Sequence, residues 1–192
     1  SARRSVTSIS DYIREALFFS ENLRPGSEPV DVTALFTRVR DTTAARAAEL
    51  GVGLTIAIDG PIGLRGDAVL LERMLVNLVN NAIDASGPGK QVQLRAMPGR
   101  HARVHLQVAD EGSGISAEDR ARIFDPYFTT KQHGRTIRGF GLGLTIVQKI
   151  VSLHAGSVTV DSTPGCGSTF TIDLPSEPPA ATPALPARTS AA

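Results

Sequence analysis

The twelve residues Leu75–Ser86, LVNLVNNAIDAS, constrain this chain more than any others, because they set amides into the period of a packed helix. Leu70, Leu71, Met74, Leu75, Leu78, Val79, Ala82 and Ile83 recur at i, i+3 and i+4, which predicts an amphipathic helix with a broad apolar face. Such a face must be buried against another layer. Asn77, Asn81 and Asp84 lie four and three apart and share a different face. Asparagine is a mediocre helix former, since its amide competes with the backbone for hydrogen bonds. A solvated helix face is ordinarily built from Glu, Lys and Arg. Two amides one turn apart beside a carboxylate read as a set of oxygen ligands, or else as an Asn-rich exposed face.

Three glycine-rich segments follow in order. Asp110–Ile115, DEGSGI, comes directly after the alternating run Val104, Leu106, Val108, which predicts a half-buried strand. A carboxylate at a strand end followed by Gly112 and Gly114 sets a fixed acceptor beside backbone that a flat ligand can approach closely. Gly139–Leu144, GFGLGL, runs into the apolar period Leu144, Ile146, Val147, Ile150, Val151. Glycines opening a helix leave unpaired N–H groups at the positive end of its dipole, an arrangement suited to phosphate. Thr163–Phe170, TPGCGSTF, is a turn between two strand-like runs, Ser157–Asp161 and Ser168–Leu174. The chain lacks G-x-x-x-x-G-K-[ST], which excludes a P-loop, and Gly139, Gly141 and Gly143 do not follow a strand as a dinucleotide fold requires.

Taken in order, these segments resemble the catalytic ATP-binding domain of bacterial sensor histidine kinases. That family carries an N box, a G1 box, an F box, a G2 box and a final G-[ST]-x-F-type box. Here they read NLVNNAIDA, DEGSGI, IFDPYFTTK, GFGLGL and GCGSTF, over about residues 30–174. Phe124–Lys131 is most like the nitrogen-regulation kinases, with Tyr127 in place of the first of two paired phenylalanines.

About 145 residues make one domain with a sizeable core, which must rest on Val, Leu and Ile because Trp is absent. A net charge of +1 gives no case for nucleic acid or an anionic membrane. Cys166, the single cysteine, forbids an internal disulfide and suits a reducing cytosol; a small turn residue is its expected role. No apolar run approaches the ~20 residues of a membrane span, so the fragment is expected in the cytoplasm without membrane contact, whatever anchors its parent. From Ser1 to Arg24, Val6, Ile9, Ile13, Ala16, Ser20 and Leu23 form a coiled-coil-like seam. Residues 25–29 read as a linker and 175–192, rich in Pro and Ala, as a disordered tail.

Between these flanks the pattern predicts a strand near Val30–Val32, a helix Thr33–Leu50, a strand Gly53–Ile58, and the amide-bearing helix capped by Asp67. Strands Gln91–Ala96 and Val104–Ala109, a helix Gly141–His154 and a final hairpin complete it. Without regular βαβ alternation the class is α+β. The resemblance implies a two-layer sandwich, a mixed and mainly antiparallel sheet covered on one face by three helices, here preceded by one long helix.

The resemblance also implies the chemistry. Asn81 matches the family's Mg²⁺ ligand, with Asn77 one turn earlier and Asp84 beside them; related ATP hydrolases carry a Glu as general base where an amide cannot serve. Asp110 matches the adenine reader, or simply starts a turn; Gly112, Gly114, Ile115 and Phe124 would frame the base, and Thr169 would support it through water. Gly139, Gly141, Leu142, Gly143 and Leu144 match the phosphate-binding turn. Residues 126–140 match a mobile lid, in which Lys131 either touches the γ-phosphate or is a solvated charge, as do Arg135 and Arg138. None of the four histidines stands in an acceptor context, and His154 suits capping or packing. The first segment therefore resembles the second helix of a dimerisation hairpin. The expected function is ATP-dependent phosphorylation of a histidine outside this chain, with relay to a response regulator by a parent that is a homodimer. A serine kinase of the same fold and a non-catalytic ATP-gated module are the alternatives.

Overall fold

The computed structural model describes residues 23–129 and 141–176. The coiled-coil-like segment up to residue 22, the lid with Lys131, Arg135, Arg138 and Gly139, and residues 177–192 lie outside the described residues.

Helix α1, Val32–Leu50, begins because the Asp31 carboxylate accepts from the N–H groups of Thr33 (2.8 Å) and Ala34 (3.1 Å), and it ends at Gly51 with φ +66°. That cap draws Val32 into the helix, so the first strand, β1, lies at Glu28–Val30 rather than Val30–Val32. It pairs antiparallel with β3, Leu64–Gly66, in a small two-stranded sheet. The expected linker at 25–29 thus contains part of a strand, and Arg65 donates to the Ser27 carbonyl at 2.6 Å. Helix α2, Ala68–Ala85, carries the amides; Asp67 caps it as expected, accepting from Val69 N–H (3.0 Å) and Leu70 N–H (3.1 Å).

The main sheet contains β2 (Gly53–Ile58), β4 (Gln91–Pro98), β5 (Arg103–Asp110), β6 (Ser157–Thr163) and β7 (Gly167–Pro175) in the order β2-β4-β5-β7-β6. Among the described strands only β2 and β4 run parallel. Period-two alternation buries Val92, Leu94, Ala96, Val104, Leu106, Val108, Phe170, Ile172 and Leu174 on one face. Against that face pack α1, α2 and α4, Gly143–Leu153, completing the two-layer α+β sandwich. A short helix α3, Ala117–Arg120, caps itself through Ser116.

Two boundaries differ from the expectation for local reasons. Helix α4 starts at Gly143, not Gly141, because Gly141 has φ +70°, which a right-handed helix cannot contain. Pro175 and Ser176 belong to the domain rather than to a tail. Ser176 donates its N–H to the Ala102 carbonyl (2.8 Å) and its hydroxyl to the Gly63 carbonyl (2.6 Å).

Candidate functional site

The register places Asp110 of β5 opposite Ser168 of β7, and Ser168 opposite Ser162 of β6. The three form a lateral row on the helix-covered face at one end of the sheet. Asp110 is only 9% exposed. Its Oδ1 accepts from Gly112 N–H (2.8 Å) and Ser168 N–H (3.3 Å), while no bond among the described residues involves Oδ2. Burial pushes the Asp110 carboxyl above the usual carboxylate range, against the pull of those two N–H groups. A buried acceptor with one oxygen anchored and the other uncommitted is suited to reading a donor on a ligand.

Glycines let the surrounding backbone close on this row. A Cβ at Gly112 would stand 2.5 Å from the carbonyl oxygen of Ala85, at the end of α2. Gly114, at φ +67°, leaves no room for a Cβ beside the Thr163 carbonyl, and Gly167, at φ +99°, leaves none beside the Asp110 carbonyl. Ser113 O accepts from Gly165 N–H at 2.7 Å, tying this loop to the β6–β7 turn. The Ile115 N–H donates to Ser162 Oγ at 2.8 Å.

Asn77 and Asn81 lie one turn apart on α2, with Asn81 beside the start of α4. The Asn77 amide nitrogen is buried with no hydrogen-bond partner, a condition that costs about 1–3 kcal/mol unless a ligand relieves it. The Asn81 amide nitrogen lies 3.8 Å from where a Gly143 Cβ would sit, so Gly143 keeps the helix start open beside it. Leu142, buried in the N-cap position, supplies no side-chain cap, leaving the first N–H groups of α4 without that partner. An uncapped helix start is suited to an anion, and the orphaned Asn77 donor, one turn from Asn81 on α2, is a second group that a ligand acceptor would satisfy.

Asp84 and Thr169, both expected at the site, have surroundings that the motifs do not show. Asp84 is an ion-pair partner of Arg46 on α1, whose Nε donates to Oδ1 at 2.9 Å, with Asp84 only 14% exposed; the pair ties α1 to α2. Thr169 lies on the face of β7 opposite Asp110, because β7 alternates and Phe170 is buried. Ser168, which shares its parity with Phe170, Ile172 and Leu174, is the hydroxyl beside the carboxylate. That parity was the signal available in the sequence. Phe124 and Leu144 are half-buried against the core, and the Phe124 carbonyl accepts from Thr145 Oγ1 at 3.3 Å. Gly141 packs under the Tyr127–Phe128 backbone and accepts from Tyr127 N–H at 3.0 Å. Lys131 and Gly139 fall outside the described residues.

No cluster of three His, Cys, Asp or Glu able to hold a metal occurs among the described residues. Asp84 pairs with Arg46, and the side chain beside the start of α4 is the neutral amide of Asn81. That amide fits a magnesium ion that arrives on phosphate oxygens and takes one protein oxygen. Cavities of about 310 and 330 Å³ lie at the other end of the sheet, around Gly63 and Gly99 and around Gly66 and His154. His154 closes α4 there, its Nδ1–H donating to the Ile150 carbonyl (2.8 Å) and its Nε2 accepting from Asp67 N–H (3.0 Å). No described helix is long and apolar enough to cross a membrane.

Residues 66–178 match the family described as histidine kinase-, DNA gyrase B-, and HSP90-like ATPase. Over 156 residues the chain is 39% identical to the sensor-like histidine kinase SenX3 of Mycobacterium tuberculosis, covering 79% of this chain and 37% of SenX3. Identity to the C4-dicarboxylate transport sensor protein DctS of Rhodobacter capsulatus is 35% over 167 residues, 85% of this chain and 25% of DctS. Among solved structures, full-length ShkA in complex with AMPPNP is similar at a TM-score of 0.81 and 28% identity, over 91% of this chain and 37% of ShkA. The chain spans little more than a third of the first of these curated relatives.

Proposed function

Because the chain belongs to the histidine kinase-, DNA gyrase B-, and HSP90-like ATPase family, we propose that it is the ATP-binding catalytic domain of a two-component sensor histidine kinase. Its substrate is ATP carrying Mg²⁺, and the γ-phosphate goes to a histidine on a separate helical hairpin. From there it passes to a response regulator, and the parent acts as a homodimer. Its named relatives SenX3 and DctS, a sensor histidine kinase and a transport sensor, support this reading.

One observation carries it. One end of the sheet has a buried carboxylate with one uncommitted oxygen at Asp110, and α2 carries an orphaned amide donor, Asn77, one turn from Asn81 beside the uncapped start of α4. Asp110 would accept from the exocyclic amine of adenine while Gly112 and Gly114 bring backbone against the ring. The opening N–H groups of α4 and the Asn77 amide would donate to phosphate oxygens, which relieves the Asn77 donor. Asn81 is the residue proposed to hold the metal. When bound, Mg²⁺ offsets the charge that develops on the transferred phosphoryl group. An amide at Asn77 takes no proton from water at neutral pH, which favours transfer to another nucleophile over hydrolysis. Lys131 remains proposed for the γ-phosphate.

The test mixes the chain with γ-labelled ATP, Mg²⁺ and a separately prepared acceptor hairpin. Acid-labile phosphohistidine on the hairpin is the expected product. An acid-stable phosphoester would make the chain a serine kinase, and bound ATP without any label would make it an ATP-gated module.

A further inference from the structure

The third member of the row beside Asp110 is a residue that no reading of the motifs singled out. Ser162 Oγ is a junction. It lies 2.8 Å from the Ile115 N–H, 3.0 Å from the Gly167 carbonyl and 3.0 Å from Ser168 Oγ. A hydroxyl has one proton and two acceptor sites. The Ile115 N–H can only donate, so it takes one acceptor site. The Gly167 carbonyl can only accept, so it takes the proton. One acceptor site is left for Ser168, and Ser168 must therefore be the donor in the pair. With its own proton committed, Ser168 offers only lone pairs on the Asp110 side of the row.

We propose that Ser162 is a positioning residue that locks Ser168 as a pure acceptor, so that the base site, already read by Asp110, favours a 6-amino purine over a 6-oxo purine. The proposal rests on the assignment of Asp110 to the base. It extends that assignment from one acceptor to two, both 5–9% exposed and joined by the Ser168 N–H to Asp110 Oδ1 bond. Loss of the Ser162 hydroxyl would release the Ser168 proton. A freed Ser168 hydroxyl can then donate toward a carbonyl at the 6-position, and it no longer presents a fixed acceptor to an amino group.

The experiment measures binding of ATP and of ITP, which carries a 6-oxo group and no 2-amine, by calorimetry on the wild type, Ser162→Ala, Ser162→Cys, Ser168→Ala and the double Ala variant. The expected result is a wild type that prefers ATP, with the ATP-over-ITP preference falling about tenfold in Ser162→Ala, as one net hydrogen bond implies. Ser162→Cys keeps the side-chain volume with a weak donor and acceptor, and shifts the ratio in the same direction even where the Ala variant fails to fold. In the Ser168→Ala background, Ser162→Ala changes the ratio no further, because Ser162 acts only through Ser168. A wild type that binds ITP as well as ATP overturns the role of Asp110 itself. An ATP-selective wild type whose ratio is unmoved in Ser162→Ala and Ser162→Cys overturns the proposal alone.

Discussion

Asp110 and Asn77 illustrate a conflict between folding and binding at single residues. A raised carboxyl pKa means that the folded chain prefers protonated Asp110. Stability from this site is complete below about pH 3.8 and is lost as pH rises through the raised value. Asp110→Asn keeps an oxygen for the Gly112 and Ser168 N–H groups and removes the charge. It should melt above the wild type at pH 7, with the difference closing as pH falls toward 3.8, as scanning calorimetry would register. The same variant sets an amide donor against the amino group of the base. ATP affinity should fall about 10- to 150-fold, the worth of a charged hydrogen bond of roughly 1.5–3 kcal/mol. Asn77→Ala removes an orphaned donor and improves helix propensity. Unfolding without nucleotide should rise by about 1 kcal/mol, or about 3 °C, while transfer to the acceptor hairpin is lost. A variant melting below the wild type would mean that the Asn77 amide has a partner after all.

Elements were legible where a strong period met a cap. Helix α2 has both, with its apolar stripe and Asp67, and its N-terminus falls where the sequence places it. Strand β2 matches its expected span, and β5 is one residue longer at each end. The three-residue strands β1 and β3 are too short to show a period, and they are held by pairing over nearly 40 positions. The ion pair of Asp84 was illegible for the same reason. Its partner Arg46 is 38 residues away on another helix, a contact that no local pattern encodes. The facing of Thr169 is a different matter. A motif names a hydroxyl, but only strand parity says which of two adjacent hydroxyls faces the carboxylate. The loop after β5 depends on backbone closeness rather than on side chains. Gly114→Ala would press a methyl into the Thr163 carbonyl at a positive φ. It should cost about 2 kcal/mol or more in denaturant unfolding and abolish ATP binding, whereas a silent substitution would show that the loop does not need its observed path.

At the scale of the molecule, the sheet has an end proposed for the nucleotide, marked by Asp110, and a remote end. His105 and the His101 turn lie about 15–25 Å down β5 from Asp110 at ~3.3 Å per residue. His154 sits at the N-cap of α2, about 15 Å along the helix from Asn77 at 1.5 Å per residue. None of these three can meet a phosphate held at the start of α4. Incubated alone with Mg²⁺–ATP, the chain should therefore show no phosphohistidine at His101, His105 or His154 by mass spectrometry. Stoichiometric label on any of them would require a different nucleotide site. The remote end also gathers Pro25, Gly26 and Ser27 with Pro175 and Ser176 around one cavity. Entry and exit of the described chain thus share a corner, with the proposed nucleotide site at the far side. A domain wired in this way is a cassette. It can be spliced between unrelated neighbours, or have its two ends joined and be reopened at another loop, and the proposed site keeps the same residues.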